Sequence, residues 1–399
     1  MSASARNGAN RTAGKPVRES FLVFGSPPVW EDEIVEVVDS LRSGWLGTGP
    51  KVARFEERFQ EYIGARHALA VNSCTAGLHL SMLAAGLGPG DEIITTAMTF
   101  AATANTIVHT GATPVLVDCD RETALIDPQR IADAITPRTR AIVPVHLYGQ
   151  ACDMDAIMDL AQKHDLVVIE DAAHAIETAY KGRKIGTIGH LTCFSFYVTK
   201  NITTGEGGMV TTNNPDFADK IKVYALHGMS KDAWKRFSDE GYKHYQVVYP
   251  GFKYNMMDLQ AAIGLHQLAR ITEWLERRAE IWNLYDEAFA DLPVQRPPAP
   301  PAGTVHARHL YTLLIDPQQT GMTRDEFMQR LFELNIGSGV HYIGVHLQPY
   351  YQDRFGYRRE DFPNATWISD RTVSIPLSPK LSSTDVEDTI EAVRSILLQ

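Results

Sequence analysis

Two side chains draw attention by type and place. Asp171 closes the apolar run Leu166-Val167-Val168-Ile169-Glu170, and Lys200 follows Cys193-Phe194-Ser195-Phe196 inside a Gly- and Thr-rich turn. A carboxylate at the C-terminal end of a buried strand lies where α/β sheets bind ligands. Lysine belongs on solvated faces; in a pocket its pKa falls and it becomes a nucleophilic amine. Alone, the first is an ordinary loop or cap carboxylate and the second an ordinary surface cation. Together they match what pyridoxal 5′-phosphate requires, an amine for its aldehyde and an acid that keeps its ring nitrogen protonated. The segment Asn72-Ser73-Cys74-Thr75-Ala76-Gly77 runs from strand into helix and offers N–H groups and hydroxyls to a phosphate. Ser73 and Thr75 suit simple helix capping equally well. Phe100 offers a flat apolar face to a heterocycle or, just as readily, to the core.

The elements that must position these residues follow from the pattern of apolar runs. Ala68–Val71, Ile93-Ile94, Pro114–Val117, Ala141–Val145 and Leu166–Ile169 are short, rich in β-branched residues and without polar alternation. Strands covered on both faces read this way. Helical spacing lies between them at Thr75–Ala85, Ala102–Thr110 and Met154–His164, and before them at Glu31–Leu41 and Val52–Ile63. The repetition predicts an α/β fold with a mainly parallel sheet. Leu191–Phe196 and Gly208–Thr211 read as two strands joined by a loop, and one long helix is expected from about Met257 to Ala290. The proline-rich stretch 293–301 cannot be helical and reads as a stiff linker. The expected organisation is a disordered arm over residues 1–20, a large domain over 21–292 that includes the long helix, and a small α+β domain over 303–399.

Composition limits the partners. The chain has 399 residues, 44% hydrophobic and 22% charged, with 38 Lys plus Arg against 48 Asp plus Glu and a net charge of −10. This surface argues against a broad nucleic-acid-binding face, while a small pocket still accommodates one phosphate ester. No apolar run approaches the ~20 residues that cross a bilayer, so no membrane partner is expected. Cys74, Cys119, Cys152 and Cys193 form no CxxC pair and no metal-ligand spacing; they read as small buried hydrophobes in a reducing, cytoplasmic compartment. A dinucleotide oxidoreductase would need G-x-G-x-x-G at the early strand–helix turn, and Asn72–Gly77 lacks it.

Seven stretches carry a resemblance to a known family: GWLGTGPK (Gly44–Lys51), MTFAATAN (Met98–Asn105), GATPVLVD (Gly111–Asp118), PVHLYGQ (Pro144–Gln150), EDAAHA (Glu170–Ala175), the segment Phe194–Gly208 around Lys200, and GFKYNMMDLQAAIG (Gly251–Gly264). His341-Tyr342 also fits. From about residue 21 to the end, the chain resembles the DegT/DnrJ/EryC1/StrS family of PLP-dependent sugar-nucleotide aminotransferases. The resemblance implies transferase fold type I, with a seven-stranded type of central sheet. It implies that Lys200 forms the Schiff base, that Asp171 partners the pyridine nitrogen, and that His174 lies beside the phenolic oxygen. Phe100 then lies against the ring, while Ser73, Cys74, Thr75, Ala76 and Ser195 surround the phosphate. Cys74 departs from the glycine common in the family, so a tight turn there must accept a side chain.

By the same resemblance Asn255 reaches the phosphate of a neighbouring subunit, which makes the functional unit a homodimer with a shared site. Many relatives carry Asn and Arg where this chain has Lys253 and Asn255. The Lys/Asn pair and His174 are similar to the branch that makes UDP-4-amino-4-deoxy-L-arabinose. Gly47, Thr48, Lys253, His341 and Tyr342 are candidates for the substrate side. The implied reaction takes nitrogen from L-glutamate, releases 2-oxoglutarate and aminates a keto sugar on a nucleoside diphosphate, with 4-keto favoured. Alternatives are a non-nucleotide ketone or cyclitol as acceptor, or a non-catalytic regulator on the same fold. Keto-sugar dehydratases of the family replace the lysine with His, whereas this chain retains Lys200.

Overall fold

The short apolar runs become strands because their neighbouring residues are buried on opposite faces. The computed structural model describes residues 16–230 and 246–398. Its central sheet contains β1 (His67–Val71), β2 (Glu92–Thr96), β3 (Thr113–Val117), β4 (Thr139–Val143) and β5 (Val167–Asp171). After a small hairpin, β6 (Ala179–Tyr180) and β7 (Arg183–Lys184), come β8 (Leu191–Ser195) and β9 (Gly208–Thr212). The seven-stranded order is β1-β9-β8-β5-β4-β2-β3. All neighbours from β8 to β3 are parallel, and β9 lies antiparallel to both β8 and β1. The expected loop-linked pair is thus β8 and β9, and the mainly parallel sheet is present.

Leu69, Val71, Ile93, Ala141, Val143, Ile169, Cys193 and Val210 pack on one face with α3 (Cys74–Ala84), α4 (Ala101–His109) and α7 (Pro215–Ala225). Ala68, Ala70, Ile94, Ile142, Val168, Phe194 and Met209 face the other way. They meet α2 (Pro50–Ile63), α6 (Met154–His164) and α8 (Asp258–Ala269). On this side Phe59 meets Phe194 and Phe196 edge-on, with ring centroids 5.2 and 5.6 Å apart, a favoured geometry for aromatic pairs. Local signals set the helix ends: Pro50 starts α2, Gly64 ends it at φ 84°, and the Asp153 carboxylate accepts the Ala156 N–H to open α6. α1 (Glu31–Ser43) lies against α8, and α5 (Pro128–Ala134) follows β3.

The expected helix from Met257 to Ala290 is two helices. α8 ends at Ala269, Arg270 leaves helical geometry at φ −101° and ψ 2°, and α9 (Ile271–Ala288) starts after it. Arg270 is held there by Asp32 and Glu33 of α1. The C-terminal unit pairs β10 (Tyr311–Leu314) antiparallel with β11 (Thr372–Ile375). It also holds α10 (Pro317–Thr320), α11 (Arg324–Glu333), α12 (Pro349–Phe355), α13 (Pro363–Ser369) and α14 (Ser383–Leu397). Its core recruits Ile281, Trp282 and Tyr285 of α9 and Phe289 just after it, so this unit draws on more of the chain than residues 303–399.

The N-terminal segment joins it as well. Leu22 bridges Ile336, and Arg18 pairs with Asp385 at 2.7 Å, so residues 16–20 of the expected arm are tied down and residues 1–15 lie outside the described ones. Among the described residues no helix is long and apolar enough to cross a membrane.

Arg278 of α9 forms a buried ion pair with Glu177, which follows β5. Replacing Arg278 with Leu strands that carboxylate, and the loss at neutral pH is expected to be about 3–5 kcal/mol, measurable by urea denaturation.

Candidate active site

The sheet ends its parallel strands at one edge, and the residues expected to do chemistry gather there. Asp171 is the last residue of β5 and is buried. Its Oδ2 accepts the Thr103 hydroxyl at 2.7 Å and its Oδ1 the Ala173 N–H at 3.1 Å. Thr99 bonds Thr103 in turn, at 2.8 Å. Burial pushes the Asp171 carboxyl upward against the pull of Thr103, Ala173 and Lys200. Lys200 sits in the turn after β8, its N–H held by the Tyr197 carbonyl at 2.9 Å. Burial lowers its ammonium to about 8, offset only in part by Cys74 and Asp171. Both line a cavity of about 430 Å³, together with Ser73, Cys74, Thr75, Phe100, His174, Ser195, His341 and Tyr342.

One end of the cavity is the start of α3. The Ser73 Oγ accepts the Ala76 N–H at 3.0 Å, so Ser73 caps the helix and the Ala76 donor is already used. The N–H groups of Cys74 and Thr75, in the first helical turn, have no acceptor within the helix. Cys74 has helical backbone geometry, so the turn tolerates its side chain; the strain expected from replacing glycine does not arise. Burial raises the thiol well above its ordinary range and keeps it uncharged. Ser195 Oγ accepts the Tyr197 N–H at 3.3 Å, which leaves its hydrogen free to donate. The tight fit here depends on Gly208 of β9: a Cβ on it would lie 2.6 Å from Cys74 N and Ser73 C.

The other end is built from histidines and tyrosines. His174 Nδ1 accepts the Tyr148 N–H at 3.2 Å, so the neutral ring carries its hydrogen on Nε2, 3.1 Å from the Tyr342 hydroxyl. Burial, then Lys200, His309 and His341, hold His174 well below its ordinary pKa. The His309 ring lies 4.3 Å from it. Phe100 is 58% exposed, with its ring 5.5 Å from that of Tyr342.

Four predicted residues lie elsewhere within the chain. Gly47, Thr48, Lys253 and Asn255 line a separate open groove of about 920 Å³. There Asn255 Nδ2 donates to Thr48 Oγ1 at 2.5 Å and Lys253 Nζ to Asn255 Oδ1 at 2.6 Å. Asn255 bridges Val71, two residues before Ser73, so the groove lies behind the start of α3.

A family model, the DegT/DnrJ/EryC1/StrS aminotransferase family, matches residues 28–394. The chain belongs to this family. Over 381 residues it is 54% identical to the spore coat polysaccharide biosynthesis protein SpsC of Bacillus subtilis, covering 95% of this chain and 98% of that protein. Among solved structures it is similar to the putative sugar aminotransferase Spr1654 from Streptococcus pneumoniae in its PLP-form. That match has a TM-score of 0.88 at 34% identity and covers 95% and 99% of the two chains; Spr1654 is also solved in a PMP-form. Helicobacter pylori PseC, an aminotransferase involved in the biosynthesis of pseudoaminic acid, matches with a TM-score of 0.86 at 27% identity, over 95% and 100%.

The protein is therefore an aminotransferase of the PLP-dependent fold type I, with pyridoxal 5′-phosphate as cofactor. The cavity fits that group: Asp171 is a desolvated carboxyl suited to a protonated ring nitrogen, Lys200 an amine suited to an aldehyde, and the α3 start a donor set suited to a phosphate. Sequence reading missed Thr103, Tyr148 and His309. Thr103 and Tyr148 lie inside the stretches MTFAATAN and PVHLYGQ but were not singled out there, and no spacing marks His309.

Two outcomes follow from this geometry. Gly208→Ala forces the α3 start away from β9, and titration of the purified protein with the cofactor is expected to show at least tenfold weaker binding (about 1.4 kcal/mol per tenfold). Lys200→Met removes an amine whose pKa is about 8 when folded and ~10.4 when unfolded. The unfolded chain binds more protons between those values, so the lysine penalty is full below about pH 8 and fades toward pH ~10.4. Cofactor-free Lys200→Met is expected to melt above the parent at pH 7, with the gap closing by pH 10.

Proposed function

We propose that the enzyme moves the amino group of L-glutamate to a keto carbon of a nucleoside-diphosphate sugar, with a 4-keto sugar favoured. The observation that carries this reading is the convergence of Lys200 and Asp171 on one cavity, with phosphate donors at one end and His341 and Tyr342 at the other. Sugar metabolism enters through the relatives, whose names place them in polysaccharide and sugar amination. When bound, pyridoxal phosphate supplies an electron sink and a carbon that carries nitrogen between donor and acceptor.

The chain's own residues do the rest. Asp171, clamped by Thr103 and Ala173, holds the proton on the ring nitrogen. Lys200 Nζ, with an amine near 8, takes the proton from the α-carbon of glutamate and returns one on the next transfer, as a general base whose pKa lies close to the working pH. His174 keeps its ring hydrogen on Nε2, shared with the Tyr342 hydroxyl, and by the resemblance this nitrogen would lie beside the cofactor's phenolic oxygen. Ser73, Thr75, Ser195 and the first N–H groups of α3 hold the phosphate.

The unit we infer is a homodimer with a shared site. Asn255 and Lys253 sit in the open groove beside exposed Trp45 and Leu46, a polar pair ringed by apolar side chains as interfaces commonly are. A second copy seated there brings Asn255 to the partner's phosphate. The four cysteines are free and buried, which fits a cytoplasmic enzyme.

The test incubates the cofactor-loaded protein with glutamate and a panel of uridine, thymidine and guanosine diphosphate 4-keto and 3-keto sugars, with mass spectrometry reading the product. A 4-keto sugar is expected to exchange oxygen for nitrogen, and Lys200→Ala to slow this by about 10²–10⁴-fold. Nitrogen gained only by ketones or cyclitols without a nucleotide would refute the substrate class.

A further inference from the structure

Tyr148 occupies a backbone conformation that a bulky residue rarely adopts, φ 59° and ψ 0°, and such strain persists only where surrounding contacts hold it. Those contacts all lead to the cavity. The Tyr148 N–H donates to His174 Nδ1 at 3.2 Å. Its carbonyl accepts the N–H of His309, whose ring lies 4.3 Å from that of His174, at 3.1 Å. Its hydroxyl donates to the His341 carbonyl, which also receives the Thr372 hydroxyl at 3.3 Å. The next residue, Tyr342, returns to His174 Nε2 at 3.1 Å. The contacts close into a ring: Tyr148 main chain, His174, Tyr342, His341, Tyr148 hydroxyl. The ring joins a segment after β5 to one before β11, so a single residue spans the large and C-terminal units at the site.

We propose that Tyr148 is a positioning residue of the transamination site, acting through both of its ends. Its main-chain N–H occupies His174 Nδ1, which leaves Nε2 as the only place for the ring hydrogen and makes His174 a fixed donor. Its hydroxyl anchors the His341 carbonyl and sets how far Tyr342 stands from His174, which fixes the width of the cavity on the acceptor side. The left-handed backbone is the condition for doing both, because it turns the N–H toward His174 while the side chain points to the opposite unit. This rests on reading His341 and Tyr342 as the acceptor side of the proposed reaction.

Three variants separate the two ends. Tyr148→Phe removes only the hydroxyl; Tyr148→Val removes the ring and disfavours positive φ, while Tyr148→Asn removes the ring but tolerates it. Ring ¹⁵N spectra of the full-length protein labelled at histidine, with the His174 signals assigned by their loss in His174→Gln, report the tautomer. Tyr148→Asn and Tyr148→Phe are expected to keep the Nε2–H signature of His174, and Tyr148→Val to shift it toward a tautomer mixture. For the keto acceptor identified by the panel, Tyr148→Phe is expected to raise KM about tenfold with a smaller change in kcat, the scale of one lost hydrogen bond. Unchanged His174 signals in Tyr148→Val would overturn the main-chain role. An acceptor KM within twofold of the parent in Tyr148→Phe would overturn the hydroxyl role. If the parent enzyme aminates no nucleotide sugar, the substrate reading fails by itself, and the ring spectra, which need no acceptor, still decide on Tyr148.

Discussion

Burial of an acid and a base in the same cavity is the constraint on which the rest of the site depends. Asp171 is buried and Lys200 half-buried, and each is pushed toward its neutral form: the carboxyl upward, the amine down to about 8. Neither is relieved by a close ion pair between them. A folded chain keeps two such groups only where something else compensates for their desolvation. A cofactor with a protonatable ring nitrogen, an aldehyde carbon and a phosphate would do so at three separate points, and the cavity has a group suited to each. Seen this way the Thr99–Thr103–Asp171 chain of hydroxyls does more than orient a carboxylate. It stabilises the charged form against the burial that opposes it.

The sheet topology explains how the three partners come together from distant parts of the chain. Asp171 ends a parallel strand and Lys200 follows the strand beside it, so both emerge at the same edge. The start of α3 enters by a different route. β1 lies next to β9, the single antiparallel strand, and the turn from β1 into α3 passes over the first residue of β9. That crossing leaves no room for a side chain at position 208, and the absence of a Cβ there lets the α3 N–H groups approach the cavity. The glycine run after Lys200 therefore serves packing as much as flexibility.

Much of this was legible in the sequence, for a physical reason. Runs such as Ile93-Ile94 and Leu166–Ile169 lack polar alternation because the sheet is covered on both faces, and that burial writes itself into composition. The motifs around Asp171 and Lys200 were legible because rare residue types fall in buried places. What escaped was geometry that residue type does not encode. The break at Arg270 has no proline or glycine to announce it; it depends on Asp32 and Glu33, more than two hundred residues earlier. Tyr148 gives no warning of positive φ, and the concern over Cys74 vanished because its backbone is simply the first turn of a helix. Asn255 and Thr48 read as site residues, yet within one chain they face a different groove.

The charge state of the cavity bears on how it can discriminate among acceptors. His174 and His309 are held well below their ordinary range and His341 is lowered to about 4, in each case first by burial and then by Lys200. All three rings are therefore neutral across the range in which an unperturbed histidine titrates, and Cys74 stays a thiol. Lys200, lowered to about 8, is brought by burial toward neutral pH beside these rings. The wall built from these rings presents fixed hydrogen-bond donors and acceptors rather than charge. Hydroxyl-bearing substrates are sorted most sharply by such groups, because an analogue that lacks one hydroxyl leaves a buried partner unpaired. On the proposed reading the acceptor would meet a few neutral rings held by strained backbone and cross-unit hydrogen bonds, and the net charge of −10 would stand apart from that contact.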